Sequence, residues 1–172
     1  MSARGSVLIG AAGESYVLYQ LHRLDLLAAP APPGAPIADL IVFDPKMRVG
    51  SMVQVKTTTR AGSWVLTAKN TRPEHVHPRL FYALVDLVPA TPEVFIVPSG
   101  VVANAVASSH SVFLATPGRR GQPHNDSPVR SLMRRYPFEV PGYPAGWLDA
   151  FRDRWDYLTT EPQESPDPAD AR

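Results

Sequence analysis

Two short apolar segments in the first third of the chain predict neighbouring β-strands. Residues 37–43 form an almost continuous apolar run, rich in β-branched residues and too short for a typical helix. Such a run is typical of a strand that is covered on both faces. Asp44, Pro45 and Gly50 then supply turn chemistry, and residues 52–58 form the returning strand. The pattern therefore predicts a hairpin.

Both predicted strands carry polar side chains that a strand in a hydrophobic core would normally lack. Gln54 and Lys56 are two residues apart on the second strand, so they share one face. Asp39 joins that face only if the register places it opposite one of them, because a slip of one residue moves it to the other side; a β-bulge provides the same correction. A buried polar group without a partner costs roughly 2–7 kcal/mol, which favours a chemical role for these residues.

The remaining periodicity predicts a mixed α/β chain. A first helix is expected over residues 10–27, where Val17, Leu18, Leu21 and Leu24 recur at helical spacing. A stiff loop follows, with four prolines and one glycine in residues 30–36. The next elements are a third meander strand over 63–67, a helix over 78–88 and a strand over 94–97. They are followed by a short helix over 99–108 opened by a serine cap, an exposed loop over 116–128 and a helix over 145–158.

The length and composition set limits on the class of protein. A chain of 172 residues suits one domain, which we expect over residues 1–158. There is no cysteine, which excludes a thiol nucleophile, a cysteine zinc site and a disulfide framework and is consistent with a reducing cytoplasm. No apolar run reaches the length of a membrane span, so we expect no membrane partner.

The charge is unevenly distributed although the net charge is only +1. Residues 159–172 contain four acids and one base, a sum of −3 that leaves +4 on the rest of the chain. Three prolines and polar neighbours predict that this acidic tail is disordered. Basic side chains that could contact phosphates, or simply form a solvated surface, are Arg119, Arg120, Arg130, Arg134 and Arg135.

An acid, an amide oxygen and a lysine on one side of a hairpin favour a site for a hard divalent cation. Mg²⁺ takes oxygen ligands and usually binds one or two carboxylates together with a substrate phosphate. Asp39 would be the principal ligand, the Gln54 side-chain oxygen a weaker one and the Val55 carbonyl a third. Lys56 would contact the scissile phosphate or orient the attacking water. Glu14, on the first helix, would hold a metal-bound water or a second cation.

The order of elements resembles the PD-(D/E)XK nuclease superfamily, which includes restriction endonuclease-like and Holliday junction resolvase-like proteins. The matching residues are Glu14 on the first helix, Asp39 at the head of the first hairpin strand and Gln54-Val55-Lys56 on the second. Two departures are Gln54 in place of the usual acid and Ala38 in place of the usual proline. The likeness spans roughly residues 8–115 and rests on a short motif.

The resemblance implies both a fold and an activity. The implied fold is a three-layer α/β/α sandwich around a central mixed sheet, with the core order αβββαβ. The implied activity is metal-dependent hydrolysis of phosphodiester bonds in DNA with Mg²⁺, or Mn²⁺ as its substitute. Cleavage of both strands of a duplex would favour a homodimer with two sites.

Two alternatives stay open from the sequence. Replacing a carboxylate by the Gln54 amide removes one negative charge from the metal shell. The chain is therefore also compatible with a catalytically degenerate module that binds nucleic acid or a protein partner. An unrelated α/β interaction domain would instead leave Glu14 far from Asp39, with Asp39 acting only as a turn cap and Lys56 extending to solvent.

Overall fold

The computed structural model describes residues 3–46, 48–118 and 120–160, with side chains from residue 5 onward. Within these ranges the chain forms two α-helices, seven strands and four short 3₁₀ turns. The helices are α1 (Ala3–Arg23) and α2 (Ser99–Ala115). The strands are β1 (Leu27–Pro30), β2 (Leu40–Phe43), β3 (Gly50–Thr58), β4 (Ser63–Thr67), β5 (Leu80–Asp86), β6 (Glu93–Pro98) and β7 (Val129–Met133).

Five of these strands form a mixed central sheet in the order β1-β2-β3-β5-β6. Strands β1, β2 and β3 are a meander of antiparallel neighbours, as the hairpin pattern predicts for the last two. Strand β3 then pairs in parallel with β5, and β6 returns antiparallel to β5. The sheet is therefore mixed, in agreement with the expected α/β class.

The two faces of the sheet are covered differently. Val17 and Leu21 of α1 are fully buried on one face, in a cluster with alternate residues of β2, β3, β5 and β6. The other face is covered over β5 and β6 by α2, by strands β4 and β7 and by the 3₁₀ turn Trp147–Phe151. A helical third layer of the α/β/α type is thus replaced in part by a second, two-stranded sheet.

The helix predicted over residues 78–88 is wrong, because this segment forms the central strand β5. All seven of its residues are buried, since both faces of the sheet are covered at this position. Burial on both faces removes the alternation that identifies a strand in the sequence. The apolar run then cannot be distinguished from a buried helix by periodicity.

The third meander strand expected over residues 63–67 forms, but it leaves the central sheet. Strand β4 pairs antiparallel with the distant β7, and the two form a separate ribbon. Strand β4 and the 3₁₀ turns Ala68–Thr71 and Pro73–His75 make the crossover from β3 to β5. In the described chain they take the place of the helix expected at this point of the αβββαβ core.

Several other boundaries differ from the sequence prediction. Helix α1 ends at Arg23 rather than at residue 27, because Asp25 adopts a positive φ of 57° and the chain turns into β1. The predicted helix over 145–158 is two 3₁₀ turns, Trp147–Phe151 and Trp155–Leu158, separated by Asp153 at a φ of 52°. Helix α2 starts at Ser99 as predicted but continues to Ala115.

The predicted serine cap of α2 is not formed. Ser99 is not a helix cap, because its hydroxyl donates to the carbonyl of His77 and accepts from the His77 N–H. No helix in the described ranges is both long and apolar enough to cross a membrane. The predicted acidic tail lies outside the described residues from position 161 onward.

Candidate metal centre

Asp39 lies at the point where strands β2 and β3 diverge. The β2–β3 register ends at the pair of Leu40 with Val53, and Asp39 comes just before it, within hydrogen-bond reach of the Gln54 side chain. One oxygen of the carboxylate, Oδ2, accepts hydrogen bonds from the Gln54 side-chain amide and, at 2.7 Å, from the Val55 N–H. No hydrogen bond from the described residues reaches Oδ1.

The backbone at Asp39 departs from a regular strand. Its N–H donates to the carbonyl of Val53 on β3 at 2.9 Å, whereas its C=O accepts from Ala31 on the other side at 2.8 Å. In a regular antiparallel ladder the two groups of one residue face the same neighbour. This local twist ends the β2 ladder and brings the carboxylate to the edge of β3.

The end of β2 leaves the second half of β3 open along one edge. Strand β2 pairs only with residues 50–53 of the nine-residue β3. The N–H of Val55 points to this edge, because it donates to Asp39. The carbonyl of the same residue shares that edge, as the strand geometry dictates. The open edge therefore presents backbone oxygen close to the Asp39 carboxylate.

Lys56 lies on the same face of β3 as Gln54 and is half-buried. Neither a hydrogen bond nor an ion pair joins its ammonium group to any described residue, although its charge acts on Glu14. On the neighbouring β5, Tyr82 is opposite Gln54 and Leu84 is opposite Lys56. An ammonium group that has no partner among the described residues and lies on a covered sheet face can bind an anion.

Helix α1 packs on the other face of β3, on the side of Val53, Val55 and Thr57, through an unusually close helix–strand contact. At Gly13, a Cβ atom would lie 1.9 Å from Oγ1 of Thr57, so only glycine permits this approach. The pKa of Glu14 is raised above its ordinary value by partial desolvation and by the negative charge of Asp39, and lowered in part by Lys56. Glu14 is therefore within electrostatic range of both groups.

The raised pKa of Glu14 predicts that its negative charge lowers the stability of the fold at neutral pH. The charged form is penalised in the folded state, so the penalty is absent below its ordinary pKa of 4.5 and fully present above the raised folded pKa. We expect Glu14→Gln to unfold at an equal or higher temperature than the wild type at neutral pH without divalent metal, and to lose this advantage in acid. Thermal unfolding followed by circular dichroism across this pH range measures the difference, and a variant less stable at neutral pH would contradict it.

The donor set fits a divalent cation with few protein carboxylates. Asp39 offers a free carboxylate oxygen, and Gln54 offers an amide oxygen after rotation of its amide. The described residues contain no group of three acidic or histidine side chains that could hold a metal ion. The number of carboxylates is thus at the low end for Mg²⁺, which commonly completes its shell with water and substrate phosphate.

Sequence reasoning missed a buried polar pair next to this face. The Nδ2 group of Asn70 donates to the hydroxyl of Tyr82 at 2.8 Å, and both side chains are buried. The charge of Asp39 contributes to a raised pKa of Tyr82, after the larger effect of burial. The sequence prediction of a helix over residues 78–88 is the reason, because only a strand at this position places Tyr82 beside Gln54 across the sheet.

The five arginines proposed as phosphate contacts fall into different environments. Arg130 is paired with Asp126, and Arg134 with Glu93 and Asp149, so these two cations are neutralised within the fold. Arg120 and Arg135 are exposed and form no ion pair with a described residue. Arg119 lies outside the described residues.

Comparison with known proteins does not assign the chain to a family. No protein-family model matches it, and no curated protein matches it significantly. Among solved structures it is similar to the bacterial homing endonuclease I-Ssp6803I, with a TM-score of 0.48 and 14 % identity over 91 % of each chain. A likeness of this size does not establish activity.

Proposed function

We propose that this chain is a metal-dependent endonuclease that hydrolyses phosphodiester bonds in DNA. The observation that supports the proposal is the gathering of Asp39, Gln54 and Lys56 on one sheet face, where the end of β2 exposes the edge of β3. Glu14 lies within electrostatic range of that group. Oxygen donors beside an unpaired ammonium group are a combination suited to phosphoryl chemistry.

Each residue has a separate role in this proposal. Asp39 and the Gln54 amide oxygen would hold Mg²⁺, with the Val55 carbonyl and Glu14 as further oxygen donors. When bound, the cation supplies positive charge to the scissile phosphate and a lowered pKa for the attacking water. Lys56 donates to a non-bridging phosphate oxygen and so fixes the phosphate against the face. The fixed peptide N–H of Val55 keeps the Asp39 carboxylate oriented.

One observation favours the second candidate, a degenerate nuclease-type module that only binds nucleic acid or a protein. The Gln54 amide and the Val55 N–H both donate to Oδ2 of Asp39, so the chain itself supplies two partners to that oxygen. Two carboxylates and one amide also carry less negative charge than a site with three acids. The two candidates differ in one measurable property, which is whether the face binds a divalent cation.

A charge restored at position 54 is expected to separate the two candidates. Without metal, the carboxylate in Gln54→Glu would repel Asp39 and lose the present hydrogen bond, so the variant should unfold at a lower temperature than the wild type. With Mg²⁺, its unfolding temperature should rise more steeply with metal concentration, because a ligand that binds only the folded state stabilises it. Differential scanning calorimetry over a Mg²⁺ titration measures both effects, and a variant insensitive to Mg²⁺ would contradict a metal centre.

The direct test of activity is nicking of supercoiled plasmid DNA by the whole chain. We expect conversion to nicked or linear DNA in Mg²⁺ or Mn²⁺, and no conversion when a chelator is added. Cleavage that continues in the chelator would contradict the proposal. DNA binding without cleavage in any divalent metal would support the degenerate module instead.

A further inference from the structure

The β4–β7 ribbon presents an outer face without charged side chains. Trp64, Leu66 and Leu132 point inward and are buried, so alternate residues point outward. The outward pairs in the register are Ser63 with Met133, Val65 with Ser131 and Thr67 with Val129. The face therefore combines short hydroxyl groups with methyl groups.

The exposure of this face is substantial. Val65 is 61 % exposed and Val129 is 55 % exposed, and they lie diagonally across the ribbon. Contiguous exposed apolar surface marks a site that contacts another molecule, whereas single exposed apolar residues are normal. Both valines stand beside polar neighbours, which suits a partner with mixed polar and methyl groups.

Positive side chains stand at both ends of the ribbon. Arg60 precedes β4 and Arg135 follows β7, and these positions share one end because Ser63 pairs with Met133. A hydrogen bond of 2.8 Å from the Arg134 N–H to the Gly62 carbonyl joins the two segments there. Lys69 stands just beyond the other end. All three cations are exposed, and none of them has an ion-pair partner among the described residues.

We infer that the β4–β7 ribbon is a docking surface for the major groove of duplex DNA. A two-stranded ribbon fits the major groove, which is about 12 Å wide. Serine hydroxyls can donate to or accept from base edges, and valine methyl groups can contact the methyl group of thymine. Cations at the two ends complement the phosphates on either side of the groove. Duplex RNA is not a fit, because its major groove is too narrow for side chains to read.

The ribbon and the candidate metal centre lie on the same side of the central sheet. Trp64 and Leu66 pack in one cluster with Tyr82 and Leu84. Tyr82 and Leu84 are the direct neighbours of Gln54 and Lys56 on the adjacent strand. The ribbon therefore packs over the sheet face that carries the candidate metal centre, with its outer face turned away from the sheet. The inference rests on the proposed function for the identity of the ligand, but it concerns different residues.

The test uses the whole chain and a fluorescent DNA duplex of about 20 bp, which is about two helical turns. Binding is measured by anisotropy in a chelator, so that no cleavage takes place. We expect Val65→Glu and Val129→Glu each to weaken binding about tenfold or more, because a carboxylate would approach phosphates. Val7→Glu is the matched control, since Val7 is 71 % exposed on α1, which covers the opposite sheet face. This control should bind as the wild type does.

Two further measurements keep the inference testable if a glutamate variant is poorly folded. Val65→Lys should bind the duplex more tightly than the wild type, whereas Val7→Lys should not. Replacement of Arg60, Lys69 or Arg135 by alanine should reduce the slope of log affinity against log salt concentration by about 0.9 for each phosphate contact that is lost. Selection from random duplexes should show a weaker sequence preference for Val65→Ala than for the wild type.

The outcomes separate the inference from the proposed function. If the wild type binds the duplex and Val65→Glu, Val129→Glu and Val65→Lys bind it equally well, the inference is overturned while the nuclease proposal stands. Equal or stronger binding of an RNA duplex also overturns it. If the wild type neither binds nor cleaves DNA, the proposed function itself fails.

Discussion

The variant Asp39→Asn is expected to lose cleavage of plasmid DNA by at least about 10²-fold while keeping its fold. Even the outer hydrogen-bond partners of metal ligands typically contribute about 10–100-fold to affinity or activity, so loss of the charged ligand itself should cost more. Asparagine has the same shape as aspartate, and its side-chain oxygen can still accept from the Val55 N–H. Initial rates of nicking in Mg²⁺, together with thermal unfolding, measure the two properties.

Two other substitutions distinguish loss of the Asp39 charge from damage to the fold. Asp39→Ala should lose both activity and stability, because it leaves the N–H of buried Val55 without its acceptor, at a cost of about 1–3 kcal/mol. Asp25→Asn is the matched control, since Asp25 is exposed at the end of α1 and asparagine tolerates its positive φ. Full activity in Asp39→Asn, or equal losses in Asp39→Asn and Asp25→Asn, would contradict the role of Asp39.

The second large effect is expected at the contact between α1 and β3. In Gly13→Ala the new Cβ would overlap Oγ1 of Thr57, so helix and strand must separate. Overpacking of this kind costs about 1–3 kcal/mol. Displacement of the helix would also move Glu14 away from Asp39, so activity in Mg²⁺ should fall with stability. Chemical denaturation and plasmid nicking measure the two effects.

A neighbouring glycine on the same helix provides the control. A Cβ at Gly10 meets nothing within 4 Å, so Gly10→Ala should stabilise the chain by about 0.4–1 kcal/mol through helix propensity and reduced freedom of the unfolded chain. Thr57→Ala should partly rescue Gly13→Ala, because it removes the overlapping oxygen, which has no hydrogen-bond partner among the described residues. Equal stability changes in Gly10→Ala and Gly13→Ala would show that the close contact does not position α1.

The shared face of Gln54 and Lys56 could be predicted because local rules determine it. Alternation along β3 puts Gln54 and Lys56 on one face, and the turn between residues 44 and 50 fixes the antiparallel return. Asp39 shares that face only in one register, and the hydrogen bond from the Gln54 amide shows that the two side chains meet. The contact that positions Glu14 had no local signal, because a glycine inside a helix does not identify its partner.

Other parts of the fold could not be predicted from local pattern. Strand β5 is covered on both faces, so its sequence has no alternation to distinguish it from a helix. Strand β1 has four residues and ends in a proline, which is too little for a strand signal. The pairing of β4 with β7 joins segments more than sixty residues apart in sequence, and the pattern of either strand says nothing about its partner.

The most direct measurement is anomalous diffraction from crystals of the chain soaked in Mn²⁺. We expect a peak beside Oδ1 of Asp39 and the side-chain oxygen of Gln54, with Lys56 facing the same space. The peak should be absent from crystals of Asp39→Asn grown and soaked identically. A wild-type crystal with no peak at this face, or with manganese bound elsewhere in the chain only, would contradict the metal centre.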